Sequence, residues 1–103
     1  MPYIRPSYRA VLNRNLVELS NNIRRLIPDE GVSRAGIVNY CVTKLIWLLL
    51  DAVPPDEDIV APYRYADLNE LIGALEACKL ELYRRLAAPY ENNAIKRNGD
   101  IWQ

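Results

Sequence analysis

The sequence predicts an all-α fold, a three-helix up-down-up bundle with a short fourth helix and a C-terminal tail. Two observations lead to this prediction: apolar residues recur every three or four positions along three long segments, and prolines bound those segments. Short connections favour neighbouring helices that run in opposite directions. At 103 residues the chain has the length of one domain, so a single helical domain is predicted over residues 1–103.

The first helix is predicted at about residues 7–27. Pro6 stands where an opening proline is tolerated, and Pro28 closes the segment. The apolar residues form one stripe and the polar residues lie mainly outside it, which is typical of an outer helix with one face in water. The stripe consists of Tyr8, Leu12, Leu16, Leu19, Ile23, Leu26 and Ile27.

The second helix is predicted at about residues 33–52, with Ser33 as its N-cap and Pro54-Pro55 as its stop. Its apolar residues go nearly all the way round, so it is either central in the fold or buried against another subunit. A three-helix monomer would leave one of its faces exposed, which predicts a homo-oligomer. The side chains that we expect at the subunit contact are Tyr40, Trp47 and Leu50.

The connector that follows carries three adjacent carboxylates, Asp56-Glu57-Asp58. Calcium loops alternate their ligands and use a glycine turn, which this segment lacks. A solvated loop is therefore predicted here.

The third helix is predicted at about residues 64–88. Leu68, Leu75 and Leu82 belong to its core stripe. Small residues on the opposite side, among them Gly73 and Ala77, let another backbone approach closely. We therefore add these two to the expected oligomer interface.

The C-terminal region is predicted to contain an interruption of the third helix, a short fourth helix and a non-helical tail, in that order. Pro89 is expected to break or kink the third helix, and residues 90–97 form the short fourth helix, capped by Asn98-Gly99. The apolar Ile101-Trp102 pair in the tail is expected to dock on the body of the protein. Tyr3-Ile4 is expected to pair with it as a short strand.

The composition excludes the commonest catalytic and metal-binding chemistry. The chain has no histidine, which removes the usual general base and zinc ligand, and it has no glycine-rich phosphate loop. Cys41 and Cys78 lack metal-ligand spacing and are predicted to be small buried hydrophobic residues in a reducing compartment. We predict no enzymatic activity, no metal and no cofactor. The enzyme alternative is a carboxylate-dependent nucleotide hydrolase.

The charges sum to zero, which argues against dedicated DNA binding, but they are unevenly placed. Residues 1–34 carry six arginines against three acids, and residues 84–103 carry four basic residues against two acids, whereas residues 35–83 carry three basic residues against eight acids. The N-terminus lacks a signal-peptide core, and the longest apolar run, Leu45–Leu50, is too short to span a bilayer. A cytoplasmic location and no membrane partner are expected.

Two groups of residues are candidates for binding an anion. Glu76, Lys79 and Tyr83 lie one turn apart on the third helix, so their side chains can meet either as a packed ion pair or as the edge of a ligand pocket. An up-down-up topology would also gather the second group at one pole of the bundle, beside the N-terminus of the second helix. The second group consists of Arg24, Arg25, Arg34, Arg84, Arg85 and Tyr90. Its arginines serve either as helix-dipole partners or as a phosphate site.

The run LNELIGALEACKLELYRR at residues 68–85, followed by Pro89-Tyr90-Glu91, Asn98-Gly99-Asp100 and an aromatic at Trp102, resembles a family of short uncharacterised proteins of phages and environmental bacteria. The resemblance extends to the opening Met1–Ile4. Members often carry a lysine four residues after the tyrosine, where this chain has Ala94. A phage origin would place the protein in the host cytoplasm.

These observations favour a non-enzymatic, oligomeric helical binding protein. In a phage setting, such a protein is expected to sequester an anionic nucleotide, such as an immune second messenger, between its subunits. The alternative is a protein-only adaptor or inhibitor that grips a host protein through the face of the second helix and the tail.

Overall fold

The computed structural model of the protein describes residues 2–53 and 60–103. Within these ranges it contains helices and no strand, which confirms the predicted all-α class. The elements are α1 (Pro6–Leu26), α2 (Arg34–Leu49), α3 (Tyr65–Leu82), a π-helical turn (Tyr83–Ala87) and α4 (Ala88–Asn98). The predicted acidic loop at residues 56–58 lies outside the described residues.

The ends of α1 and α2 follow from local chemistry. Pro6 occupies the first turn of α1, where its missing N–H leaves no bond unmade. Ser33 caps α2, because its Oγ accepts the backbone N–H of Gly36 at 3.1 Å, as predicted. Helix α2 ends slightly before the predicted residue 52, where Asp51 adopts a left-handed conformation with φ 50°. The Ala52 N–H donates to the Trp47 carbonyl at 3.0 Å, and this bond between residues five apart is the one that defines a Schellman motif.

Helix α3 opens with a side-chain contact that covers its first amide groups. The Asp67 carboxylate accepts the backbone N–H of Arg64 at 2.8 Å. A carboxylate three residues into the helix that reaches back in this way is half of a capping box, and its charge also suits the positive end of the helix.

The third helix does not break at Pro89 but continues through α4 to Asn98 as part of one long, bent helix, so of the two predicted outcomes, a break or a kink, the structure shows the kink. A regular α-helix would bring the Pro89 ring against the carbonyl of Arg85 and leave that carbonyl without a donor. The π turn just before the proline widens the helix, and Ala88 N–H bonds to the Tyr83 carbonyl five residues back. Pro89 thereby occupies the first turn of α4, where a proline is tolerated. Gly99, at φ 86°, ends the helix as predicted.

The chain divides into two compact units. One comprises Tyr3–Asp67 with α1 and α2, and the other comprises Met1–Pro2 and Leu68–Gln103 with most of α3, the π turn and α4. The single domain over residues 1–103 stays a prediction.

The predicted apolar stripes are present, but their side chains are only partly covered. None of the side chains in the described ranges is buried, including those of Leu12 and Leu16 on α1. Cys41 is half-buried and Cys78 is exposed, so the prediction that both thiols are buried is wrong for a single copy. The described helices therefore carry apolar faces whose side chains are exposed or half-buried.

The predicted docking of the tail is also wrong. Ile101 and Trp102 are 85% and 87% exposed, and the residues described at either terminus form no strand. The tail instead folds on itself, since Asp100 accepts the Ile101 N–H at 2.6 Å and Gln103 Oε1 accepts the Asp100 N–H at 3.1 Å. The backbone N–H groups of Asp100 and Ile101 thus find their acceptors within the tail itself.

Of the helices in the described ranges, none has the length and apolar character needed to cross a bilayer.

Candidate functional site

The unit that contains α1 and α2 has an apolar groove at the corner where the two helices meet. Leu19, Ile23 and Leu26 line it from the end of α1, and Val32, Ile37 and Tyr40 line it from the connection and α2. Leu19, Ile23 and Leu26 were predicted to face the core. In this unit they face an open groove instead, with Tyr40 66% exposed at its edge.

Two of the predicted anion-site arginines lie in the last turn of α1 and are held by neighbouring amide groups. Arg24 Nη1 donates to Asn21 Oδ1 at 3.0 Å, and Arg25 Nη1 donates to Asn22 Oδ1 at 2.7 Å. Asparagine is a neutral acceptor, so these bonds orient both guanidinium groups without neutralising their charge. Oriented, charged arginines of this kind are suited to an anionic partner.

Arg34 is the first residue of α2, directly after the capping Ser33. A cation at a helix N-terminus opposes the helix dipole, so its charge costs stability there unless an anion lies nearby. Arg24, Arg25 and Arg34 therefore each carry a charge that a negatively charged ligand would complement.

The predicted interface residues are all accessible. Trp47 is 37% exposed, Leu50 is half-buried, and Gly73 and Ala77 are exposed in the other unit. A Cβ atom added at Gly73 would meet nothing within 4 Å, so this part of α3 has room for a neighbouring backbone.

The second unit carries a groove along one face of the continuous helix that spans residues 65–98, here called the long helix. Leu82, Leu86, Ala87 and Tyr90 form its apolar floor. Lys79 and Glu91 lie at its two ends, and Tyr83 lies between them. This face, here called the groove face, follows the three-and-four spacing of a helix stripe.

The predicted trio on α3 is only partly brought together. Lys79 Nζ donates to Glu76 Oε1 at 3.3 Å, and both side chains are largely exposed. Tyr83 instead donates its hydroxyl to Glu91 Oε2 at 2.9 Å, eight residues further along the chain. Sequence reasoning missed Glu91 as the partner of Tyr83, because residues eight apart diverge on a regular α-helix.

The Tyr83–Glu91 contact changes the acidity of the phenol. The carboxylate accepts the phenolic proton, and its negative charge opposes formation of a phenolate, so the pKa of Tyr83 is raised above its ordinary value of 10.0. Tyr83 therefore stays a neutral hydrogen-bond donor throughout the physiological pH range.

The remaining predicted anion residues lie on the same unit. Arg84 Nη2 contacts Glu81 Oε1 at 2.7 Å, so its charge is paired one turn back along the helix. Arg85 follows it in the π turn, and Tyr90 is 71% exposed in the groove. The convergence of Arg84 and Arg85 with Arg24, Arg25 and Arg34 stays a prediction.

On α2, Thr43 Oγ1 donates to Asn39 Oδ1 at 3.2 Å, so these two polar side chains pair with each other. Over residues 2–53 and 60–103, no group of three or more Cys, Asp or Glu side chains has the geometry to hold a metal ion.

The model of the family described as "Domain of unknown function (DUF6899)" matches residues 1–101, so the chain belongs to that family. No curated protein and no solved structure matches the chain.

Proposed function

We propose that this member of the DUF6899 family is a non-enzymatic helical binding protein that works as a homo-oligomer. The supporting observation is that no described residue is buried, although every helix carries large apolar side chains. Burying apolar surface supplies most of the favourable free energy of folding, at about 25 cal/mol per Å². Another copy of the chain would supply the cover that one copy lacks.

Helix α2 supports this proposal most directly. Tyr40, Leu45, Leu48 and Leu49 are all more than half exposed, and they point to several sides of the helix. Exposed apolar patches of this extent mark interaction surfaces in soluble proteins. Because the exposed apolar residues of α2 are not confined to one face, a second copy of the chain would bury more of their surface than a small ligand could.

Light scattering at micromolar protein concentration tests the assembly. We expect a mass above that of one 11.8 kDa chain. Trp47→Glu should lower the assembled fraction, because it places a charge on the apolar surface of α2. Arg14→Glu is the matched control, since Arg14 lies among polar side chains of α1. A monomer at all concentrations, with a single cooperative melting transition, would contradict the proposal.

We further propose that the assembly binds an anionic, phosphate-bearing ligand. Arg24 and Arg25 support this, because neutral asparagine oxygens hold their guanidinium groups in place and leave their charge available. A phosphate group would make several charge-assisted hydrogen bonds to them. If the chain is of phage origin, as the resemblance suggests, sequestration of a nucleotide signal of the host fits this chemistry.

Thermal-shift measurements with polyphosphate and with nucleotides test the ligand. A ligand that binds only the folded state raises the melting temperature progressively with its concentration, because its stabilisation grows as RT ln(1 + [L]/Kd). We expect Arg25→Ala and Arg34→Ala to reduce that rise and Arg14→Ala to leave it unchanged. Arg85→Ala tests the other unit separately. Nucleotide turnover with magnesium would favour the hydrolase alternative instead.

A protein-only adaptor is the second candidate, and the exposed tail favours it. Ile101 and Trp102 offer an apolar anchor outside any helix, and tryptophan is among the residues that dominate protein interfaces. If no anion shifts the melting temperature of the parent protein, the adaptor becomes the better proposal.

A further inference from the structure

We propose that the groove face of the long helix pairs in antiparallel orientation with the same face of a second copy. The two-fold axis would cross the groove at the height of residue 85, which itself does not line the groove. This inference rests on the proposed homo-oligomer and names one of its contacts.

The stripe itself calls for a long, apolar partner. Leu82, Leu86 and Tyr90 lie on one face over more than two helical turns, and Leu86 is 66% exposed. A second helix with the same spacing can interdigitate with such a stripe along its whole length, as in antiparallel helix pairs. The groove face is therefore complementary to itself in shape.

The charges fix the direction and the register of the pairing. Lys79 lies six residues before residue 85, and Glu91 lies six residues after it. A two-fold axis at the height of residue 85 places Lys79 of each copy opposite Glu91 of the other, which gives two ion pairs at the ends of the contact. Parallel pairing would place Lys79 against Lys79 and Glu91 against Glu91, and like charges across an interface are costly.

The same register also matches large residues with small ones. Tyr83 precedes residue 85 by two positions and Ala87 follows it by two, so Tyr83 of one copy lies opposite Ala87 of the other. Both residues line the groove, so the tyrosine ring would lie over a side chain that leaves room for it. The Tyr83–Glu91 hydrogen bond fixes the ring on this face before any partner arrives.

Charge-reversal variants test the pairing. Lys79→Glu and Glu91→Lys should each raise the dissociation constant of the assembly about tenfold, because each single change turns two attractive pairs into repulsive ones. The double variant Lys79→Glu/Glu91→Lys restores both pairs in antiparallel register and should recover the parent affinity. The local contacts with Glu76 and Tyr83 are lost in the double variant too, so its recovery cannot come from them.

The disulfide chemistry of native Cys78 provides a second measurement. Antiparallel pairing about residue 85 places Cys78 opposite residue 92, so the two thiols lie about 14 residues, or roughly 21 Å, apart along the axis. Under mild oxidation with Cys41→Ser, we expect no disulfide-linked dimer through Cys78. Rapid formation of that dimer in the assembled protein would indicate parallel pairing and overturn the inference.

The outcomes separate this inference from the proposed function. An assembly that persists while the double variant stays as weak as the single variants would overturn the antiparallel contact and leave the homo-oligomer intact. A parent protein that is monomeric by light scattering would overturn both. Circular dichroism of every variant confirms that the helices are retained.

Discussion

Tyr83 donates a hydrogen bond to Glu91 at 2.9 Å, and this bond spans the π turn that precedes Pro89. Residues eight apart on a regular α-helix lie about 80° from each other around the axis, whereas residues seven apart lie within about 20°. The extra residue in the π turn gives Tyr83 and Glu91 the relation of residues seven apart. One proline thus sets the composition of the groove face.

The first prediction concerns the ionisation of Tyr83. Glu91→Ala removes both the acceptor and the negative charge, so we expect the pKa of Tyr83 to fall towards its ordinary value of 10.0. Glu91→Gln keeps an acceptor and should lower the pKa only in part. NMR titration of the tyrosine rings measures this, with Tyr83→Phe used to assign the signal among the seven tyrosines. An unchanged titration in Glu91→Ala would contradict the hydrogen bond.

The raised pKa of Tyr83 makes the free energy of unfolding depend on pH. Because the folded state raises the pKa of Tyr83, the folded state holds the phenolic proton more tightly than the unfolded chain. The contact therefore stabilises the fold fully below pH 10 and loses its effect as the pH rises through the raised pKa. Urea unfolding between neutral and alkaline pH should show the parent and Tyr83→Phe converging at the alkaline end.

The second prediction concerns the π turn. In Pro89→Ala the new N–H can donate to the carbonyl of Arg85, so we expect a regular α-helix in place of the π turn and higher helicity by circular dichroism. Tyr83 and Glu91 should then separate, and the pKa of Tyr83 should return towards its ordinary value.

The matched control is Pro6→Ala. Pro6 lies in the first turn of α1, where no intrahelical bond is missing, so this change should leave the titration of Tyr83 as it is. A π turn that persists in Pro89→Ala would show that residues other than the proline determine it.

The third prediction concerns the N-cap of α2. Ser33→Ala removes the oxygen that accepts the Gly36 N–H and should lower the free energy of unfolding by about 1 kcal/mol. Ser20→Ala is the control, because the Ser20 hydroxyl only donates to the Val17 carbonyl within α1. Denaturant melts followed by circular dichroism measure both. Equal effects of the two changes would contradict the capping role of Ser33.

The fourth prediction concerns the tail. Truncation after Gly99 keeps the residue that ends α4 and removes Ile101 and Trp102, which are exposed. The free energy of unfolding should therefore change by no more than about 0.5 kcal/mol, as for other surface changes. A large loss of stability would show that the tail packs against another copy in the assembled protein.

The sequence predicted the helices because periodicity, caps and prolines act locally. Ser33 and Gly99 perform their predicted capping roles, since each depends only on a few neighbouring residues. At Pro89 the residue pattern predicted a break or a kink and did not decide between them, because the choice between a break and a widened turn depends on backbone geometry that a residue pattern does not encode.

The candidate site was harder to predict for the same reason. Lys79 and Glu76 are three residues apart, so helix geometry alone brings them together. Glu91 became a partner of Tyr83 only through the π turn. The predicted burial of the apolar stripes is not seen in one chain. An apolar stripe indicates that a helix face is covered, but it does not indicate which chain covers it.

The absence of buried side chains in the described residues bears on how long the protein survives in a cell. A chain whose core is completed by other copies is open to proteases at low abundance and protected at high abundance, because the population of open chains falls as association proceeds. Its lifetime would then rise with its own rate of synthesis. Weak expression would yield almost none of the protein, and strong expression would yield a persistent pool, so the fold would act as a threshold on dosage.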